Sequence, residues 1–275
     1  MTLKIVASKV SRRRFLLTSA AAASVPVLAA EAEVAQSRRS QAAEAGNLPA
    51  AIAALTNRSK ESTPITLAER EKRIERARAL MHEHQIDALV ITTGTSLTYF
   101  TGLRWGQSER LFAWTLPAKG SPFIVCPVFE EGRVRERMDA KPATLPSAST
   151  TRVYTWNEDE DPYKLLAKAL KENGISSGKI GVEERTQWVF ADGIAHASPA
   201  LTTTSAIPVT FGCRGVKSAA ELANMQLAND ITLSVYAAAY KSGQPGMTNR
   251  QLVELINLGY AQCGVTGEAS CQVGE

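Results

Sequence analysis

The chain has 275 residues, of which 44% are hydrophobic, 21% charged and 6% aromatic. These proportions exclude a wholly disordered chain, a collagen, a coiled-coil rod and a disulfide scaffold. The formal net charge of +4 would suggest a nucleic-acid-binding protein if the basic residues formed one patch.

The basic excess lies in residues 1–29, which carry five Lys or Arg residues and no acidic residue. Arg12, Arg13 and Phe15 belong to the segment SRRRFLL, which resembles the twin-arginine export motif and precedes an Ala-rich apolar run. A basic region, an apolar region and small residues near Ala29 are the three parts of a secretory signal. We therefore expect residues 1–29 to direct twin-arginine export to the periplasm or the cell exterior.

Removal of this signal lowers the formal net charge of the chain. The remaining chain has 26 basic and 27 acidic residues, a net charge of −1, so no nucleic-acid partner is expected. An uncleaved membrane anchor is the alternative, but the apolar run is about 16 residues long and contains Pro26, whereas a span needs roughly 20 residues. No later segment is apolar over that length, so no stable membrane span is expected after cleavage.

The mature chain divides by pattern into a linker and an α/β segment. Residues 30–65 are rich in Ala, Glu, Ser, Gln and Arg with little hydrophobic periodicity, which predicts a linker that is a tether or a weak helix and is mostly mobile. Residues 66–212 alternate helix and strand patterns. Helices are predicted at 66–84, 129–138, 162–173 and 187–195, and strands at 86–91, 111–116, 123–128, 152–156, 179–183, 201–204 and 209–213. This alternation predicts an α/β domain with a mixed sheet and flanking helices.

Residues 213–275 have a different pattern. Capping-box spacing predicts helices at 218–242 and 248–263, followed by an entering strand at 268–273. Two helices and one strand are too few to close a sheet-based domain. We therefore interpret this segment as the truncated start of a larger domain.

Short segments occurring in order along the chain carry a family resemblance. They are IDALVI with TGTSLTYFTG (residues 86–102), WGQSERL (105–111), GVEE (181–184), CRGVKS (213–218) with Glu221, and GMT (246–248). Together they resemble the Xaa-Pro aminopeptidase, prolidase and creatinase family. The resemblance implies a creatinase-type amino-terminal domain at 66–212 and the start of an α+β pita-bread catalytic domain at 213–275.

The family's enzymes hydrolyse the bond before proline, or related C–N bonds such as that of creatine. The resemblance implies the amino-terminal portion of an exported Xaa-Pro dipeptidase or aminopeptidase-like metallohydrolase, whose substrate is a proline-containing peptide or small amide. Many members are homodimers, so a homodimer is expected. Their two divalent metals, Mn, Co or Zn, are held by carboxylates and a His on later strands that have no counterpart here. We assign no catalytic residue, metal ligand or cofactor in this chain, and expect it to be inactive as given.

Trp105, Ser108, Glu109 and Arg110 are the candidate substrate-binding residues. An Arg can hold a carboxylate through two parallel hydrogen bonds, and in the family this segment lies toward the active-site cleft. The alternative is a structural loop with Trp105 packed on the sheet. Two other functions stay open: a creatinase-like, metal-free C–N hydrolase fragment, and a non-catalytic peptide- or protein-binding module.

Three further patterns are interpreted as structural. The four cysteines, which lack metal-type C-x-x-C spacing, are expected to be free thiols, mostly buried. The acidic run at 158–161 is expected to precede a helix start rather than bind calcium. The basic residues of the first helix, Arg73 among them, alternate with Glu and are expected to form a solvated, salt-bridged face.

Overall fold

The computed structural model describes residues 48–140 and 145–272, which form two compact units. One unit is Thr63–Met225, called here the sheet unit; the other, the helical unit, combines residues 48–62 with residues 226–272. The predicted signal and the first half of the predicted linker lie outside the described residues.

The regular elements are numbered in chain order. The α-helices of the described residues are α1 Ala50–Ala53, α2 Leu67–Glu83, α3 Thr95–Thr101, α4 Glu131–Met138, α5 Pro162–Glu172, α6 Trp188–Ala197, α7 Ile207–Arg214, α8 Ala219–Ser242 and α9 Asn249–Gln262. The strands are β1 Ala88–Ile91, β2 Ala113–Pro117, β3 Phe123–Pro127, β4 Arg152–Trp156, β5 Gly178–Val182 and β6 Leu201–Ser205. Short 3-10 turns lie at Ser59–Glu61, Val128–Glu130 and Ala148–Thr150.

The sheet unit contains a six-stranded mixed sheet with the order β4-β3-β2-β1-β5-β6. Strand β1 pairs antiparallel with β2 and parallel with β5, and β5 pairs parallel with β6. On the other side, β2 pairs antiparallel with β3, and β3 parallel with β4. The predicted mixed sheet is therefore confirmed.

Both faces of this sheet are buried. Side chains alternate along a strand, so Leu89 and Ile91 of β1 join one core cluster with α2, whereas Ala88 and Val90 join the opposite cluster with α5 and α6. All four β1 residues are fully buried. The flanking helices thus cover the sheet on both sides, as the alternation of elements predicts.

Helix α2 begins with the cap that the sequence predicts, but one of its basic residues is not solvated. The Thr66 hydroxyl accepts a hydrogen bond from the Glu69 backbone N–H at 3.1 Å. Arg73 is only 8% exposed, and its guanidinium pairs with Glu69 at 2.8 Å and Glu221 at 3.3 Å and lies 4.0 Å from the Tyr99 ring centroid. The solvated-face prediction is wrong for Arg73, because its second carboxylate comes from α8, far along the chain.

The prediction of a strand at 209–213 is also wrong, since these residues belong to helix α7. Pro208 lies in the first turn of α7, a position where its fixed φ favours a helix start. Val209 and Cys213, four residues apart, are buried on one side of α7 in the core cluster that contains Leu80 of α2. A short run of apolar and β-branched residues does not by itself distinguish the two structures.

Helix α3, which follows β1, is not among the helices that the hydrophobic pattern predicts. It ends at Gly102, whose φ of 75° lies in the left-handed region that closes a helix at low cost only with glycine. The T-G pair of the resemblance is therefore a helix stop. Leu97 and Phe100 of α3 are fully buried in the core.

The helical unit has a single small core. Its buried members are Ile231, Val235, Ala239, Leu255, Ile256, Tyr260 and Cys263. Thr248 and Gln251 form the predicted capping box at the start of α9, and Ser218 and Glu221 exchange the corresponding bonds at the start of α8 in the sheet unit. Residues 268–272 contain no strand, so that prediction is wrong for the part described.

The last part of the predicted linker, residues 48–62, belongs to the helical unit. Ile52 of α1 is fully buried, and Leu55 packs against the core around Val235. The Arg58 backbone N–H donates to the carbonyl of Cys263 at 3.0 Å. Residues 48–62 thus contribute buried contacts, although their composition resembles that of a linker.

The four cysteines of the chain are free thiols, as expected. Cys126, Cys213 and Cys263 are buried, and Cys271 is partly exposed. Burial raises the pKa of the Cys126 thiol to about 12. Among the described residues, no helix combines the length and apolarity needed to cross a bilayer.

Candidate functional site

The predicted substrate-binding residues lie on the loop between α3 and β2, and Trp105 is its buried anchor. The Trp105 ring is 8% exposed and stacks on Phe112 with centroids 4.5 Å apart. Its Nε1 donates to a Glu130 carboxylate oxygen at 3.2 Å, and the Arg133 guanidinium lies 4.4 Å from its ring centroid. These contacts fix the loop against the turn that precedes α4.

Ser108, Glu109 and Arg110 form a second, more exposed group on the same loop. The Ser108 hydroxyl accepts a hydrogen bond from the Arg110 backbone N–H at 3.1 Å. The Arg110 guanidinium contacts Glu109 and holds Glu158 with two bonds, Nε–Oε1 at 2.7 Å and Nη2–Oε2 at 3.2 Å. Gln187, at the start of α6, donates to the Ser108 carbonyl at 3.0 Å.

The fork of Arg110 has the geometry that binds a carboxylate, and Glu158 occupies it. The hydrogen bond to Glu158 raises the pKa of Arg110, whereas a backbone hydrogen bond and the Arg110 charge lower the pKa of Glu109. The structure thus brings Ser108, Glu109 and Arg110 together, whereas Trp105 is buried. Their role in substrate binding stays a prediction.

A second candidate site, which the sequence analysis missed, is a cavity in the sheet unit. It has a volume of about 340 Å³ and is lined by Thr95, Glu183, Glu184, Arg185, Phe211, Arg214, Gly215 and Lys217. Thr95 follows β1 and Glu183 follows β5, and because these strands are parallel their carboxyl ends meet at one edge. Ligands of α/β proteins commonly bind at such an edge.

Glu183 is the unusual residue of this cavity, since it is 4% exposed and carries a carboxyl group. Within the described residues its Oε2 atom has no hydrogen-bond partner. A buried polar atom without a partner costs about 1–3 kcal/mol. Desolvation, and then the nearby Glu184 charge, raise the pKa of Glu183, although a hydrogen bond from Ser96 and the charge of Arg214 act in the opposite direction.

Three of the other charged side chains that line the cavity, those of Arg214, Lys217 and Glu184, make hydrogen bonds. Arg214 donates from Nη1 to the Ser96 hydroxyl at 3.1 Å, and the Lys217 ammonium contacts the carbonyls of Arg214 and Gly215 at the end of α7. Glu184 accepts a bond from the Thr210 hydroxyl at 3.3 Å. The Arg185 side chain has no hydrogen bond or ion pair within the described part of the chain, but its charge lowers the pKa of Glu183.

The sequence contained a signal for this cavity. The segments GVEE and CRGVKS both carry the family resemblance, and the cavity takes Glu183, Arg214 and Lys217 from them. Nothing in one sequence shows that segments about thirty residues apart contact each other, so their juxtaposition required the fold.

The described residues do not fit a metal centre. Across residues 48–140 and 145–272, no three His, Cys, Asp or Glu side chains are grouped so that they could hold an ion. The acidic run at 158–161 has other contacts: Asp161 caps α5 by accepting from the backbone N–H groups of Tyr163 and Lys164, and Glu158 pairs with Arg110. The interpretation of this run as the start of a helix is confirmed.

Comparison with known proteins identifies the family to which the chain belongs. The model of the creatinase/prolidase N-terminal domain matches residues 73–216, which is more than half of the chain. The chain belongs to this family. The match covers the strands β1 to β6 and ends within the segment that lines the cavity.

Curated relatives are peptidases by name. An uncharacterized peptidase of Schizosaccharomyces pombe is 27% identical over 226 residues, covering 76% of this chain and 46% of that protein. An uncharacterized peptidase of Staphylococcus epidermidis is 23% identical over 193 residues, covering 70% and 50%. The chain thus spans about half the length of the curated relatives it matches.

Solved structures agree on the fold. The dipeptidase PepE of Mycobacterium ulcerans is 29% identical with a TM-score of 0.62, over 72% of this chain and 51% of that one. A dipeptidase of Pyrococcus horikoshii is 25% identical with a TM-score of 0.58, over 72% and 57%. A prolidase of Thermococcus sibiricus, 21% identical with a TM-score of 0.58 over 69% and 48%, shares the fold.

Proposed function

We propose that this chain is the amino-terminal portion of an exported Xaa-Pro dipeptidase-like metallohydrolase. The family match over residues 73–216 carries the proposal, and the dipeptidase names of similar structures support the substrate class. The chain spans about half the length of the curated peptidases it matches, and this supports assigning the hydrolytic step, with its two divalent metals, to the part of those proteins that this chain does not cover. This chain would supply the domain that borders the substrate cleft.

The reading frame downstream of codon 275 tests this proposal directly. We expect it to encode two Asp, one His and two Glu as metal ligands, and the longer protein to hydrolyse Gly-Pro with Mn²⁺, Co²⁺ or Zn²⁺. Residues 1–275 alone should show no turnover with the same metals. A downstream frame without those ligands, or metal-dependent turnover by residues 1–275, would contradict the proposal.

For Arg110, we propose that substrate carboxylate replaces Glu158 on its guanidinium in the longer enzyme. Arg110→Gln should raise KM about tenfold with kcat nearly unchanged, since a charged hydrogen bond in the ground state is lost. Glu158→Gln, which frees Arg110, should keep or lower KM. Equal increases in KM for both variants would indicate that the pair only holds the loop. Arg137→Gln, an exposed residue outside the loop, is the charge-matched control.

We also propose export by the twin-arginine route and assembly as a homodimer. In bacterial fractions, the mature protein should begin near residue 30 and lie outside the cytoplasm. In the double variant Arg12→Lys and Arg13→Lys, the uncut chain should stay in the cytoplasm.

The homodimer is tested separately. Sedimentation of the longer enzyme should give twice its chain mass. A cytoplasmic, uncut protein would contradict export, and a monomeric mass would contradict the dimer.

A further inference from the structure

We propose that the cavity at the carboxyl ends of β1 and β5 binds a small organic carboxylate between Glu183 and Arg214. All the described residues that line it belong to the sheet unit. Its volume of about 340 Å³ lies at the lower end of the range typical of small-molecule sites.

The first argument is the unpartnered carboxyl oxygen of Glu183. This side chain is 4% exposed, lines the cavity, and keeps Oε2 without a hydrogen bond in the described residues. Burial favours the protonated form of Glu183. A protonated carboxyl is a hydrogen-bond donor, and its natural complement is an acceptor oxygen on a ligand.

The second argument is the charge of the cavity wall. Arg185, Arg214 and Lys217 are cationic and outnumber the two lining carboxyl groups, those of Glu183 and Glu184. Within the described residues, Arg214 donates only to Ser96, and Arg185 makes no hydrogen bond or ion pair, although its charge acts on Glu183. The wall is therefore net positive with guanidinium donors available, which favours an anion over a metal cation.

The third argument separates an organic acid from an inorganic anion. The Phe211 ring lines the cavity and is 69% exposed, so it offers apolar contact to a hydrocarbon group. This apolar contact fits a carboxylate with a short apolar body better than phosphate.

Calorimetric titration of the 275-residue chain with sodium propionate tests the site, with NMR following the amides of Thr95 and Arg185. We expect one saturable site, with shifts confined to the cavity. Sodium chloride at equal ionic strength should not reproduce the shifts, and phosphate should bind more weakly. Tighter binding of phosphate, or Mn²⁺ binding at the same amides, would overturn the assignment of a carboxylate.

Variants test which groups hold the ligand. Arg214→Gln and Arg185→Gln should each weaken propionate binding about tenfold, because each removes a charged hydrogen bond. Arg185 is exposed, so its variant tests the site even if Arg214→Gln does not fold. Glu183→Gln keeps a donor and should keep binding, whereas Glu183→Leu removes it and should weaken binding. Unchanged affinity in Arg185→Gln and Glu183→Leu, or an equal loss in the control Arg137→Gln, would overturn the proposal.

Discussion

The two compact units differ in how much apolar surface each can bury. In the sheet unit a six-stranded sheet has helices on both faces, and all residues of β1, β2 and β3 are buried. In the helical unit, α8 leaves Leu233, Tyr236 and Tyr240 at 68%, 49% and 87% exposed. A sheet offers two faces for packing, whereas each helix of a small cluster offers one stripe. We therefore expect the sheet unit to be the more stable part.

The tryptophans allow this comparison to be measured. All four, Trp105, Trp114, Trp156 and Trp188, belong to the sheet unit. Tryptophan fluorescence therefore reports unfolding of that unit, whereas far-UV circular dichroism also reports α8 and α9. A helical transition at lower urea than the fluorescence transition would support the difference, and coincident transitions would contradict it.

The largest expected effect is that of Phe100→Ala in the sheet unit. Phe100 is fully buried, stacks 6.1 Å from the Trp114 ring and meets the Tyr99 ring edge-on. Loss of such a ring costs about 3–5 kcal/mol in the free energy of unfolding, measured by urea titration of fluorescence. Tyr240→Ala in the helical unit removes an aromatic ring of similar size that is 87% exposed, and should change stability by less than about 0.5 kcal/mol.

A somewhat smaller loss is expected from Arg73→Met, which removes the cation between Glu69 and Glu221. Two partly buried carboxylates would be left without their shared partner, at a cost of about 3 kcal/mol. Arg76→Met on the exposed side of the same helix is the matched control and should lie within about 0.5 kcal/mol of the wild type. A similar loss in both variants would mean that the buried network adds nothing specific.

Helix caps should contribute similar amounts in the two units. Asp161→Ala in the sheet unit and Thr248→Ala in the helical unit each remove an N-cap acceptor, at a cost of about 1 kcal/mol. Hydrogen exchange at Tyr163 and Gln251 measures the two first turns separately. We expect similar acceleration at the two amides, and a much larger acceleration at one of them would contradict equal cap contributions.

The last prediction concerns pH and is confined to the sheet unit. The pKa of Glu183 is raised in the folded chain, so the folded state binds this proton more tightly than the unfolded state. This contribution favours the folded state at low pH and is lost as pH rises from the unfolded pKa through the folded pKa. Glu183→Gln should flatten that decline in urea-unfolding free energy. An identical pH profile in both proteins would show that burial does not shift this carboxyl.

The candidate sites show which groupings of residues can be anticipated from the sequence. The group Ser108, Glu109 and Arg110 could be selected from the sequence because chemically distinctive residues are adjacent in one loop. Their partners Glu158 and Gln187 could not be, because they follow β4 and precede α6. Arg73 was misassigned for the same reason: helix periodicity shows which residues share a face, but not that Glu221 lies opposite.

The α/β class, most elements, the helix caps at Thr66, Asp161 and Thr248, and the family could all be predicted from the amino-acid sequence. These follow from local periodicity, capping chemistry and short motifs, which act over a few residues. Tertiary structure alone decided that 209–213 is helical, that Ile52 is buried, and that Glu183 and Arg214 line one cavity. Those outcomes depend on desolvation and packing between segments distant in sequence, and no local pattern records such contacts.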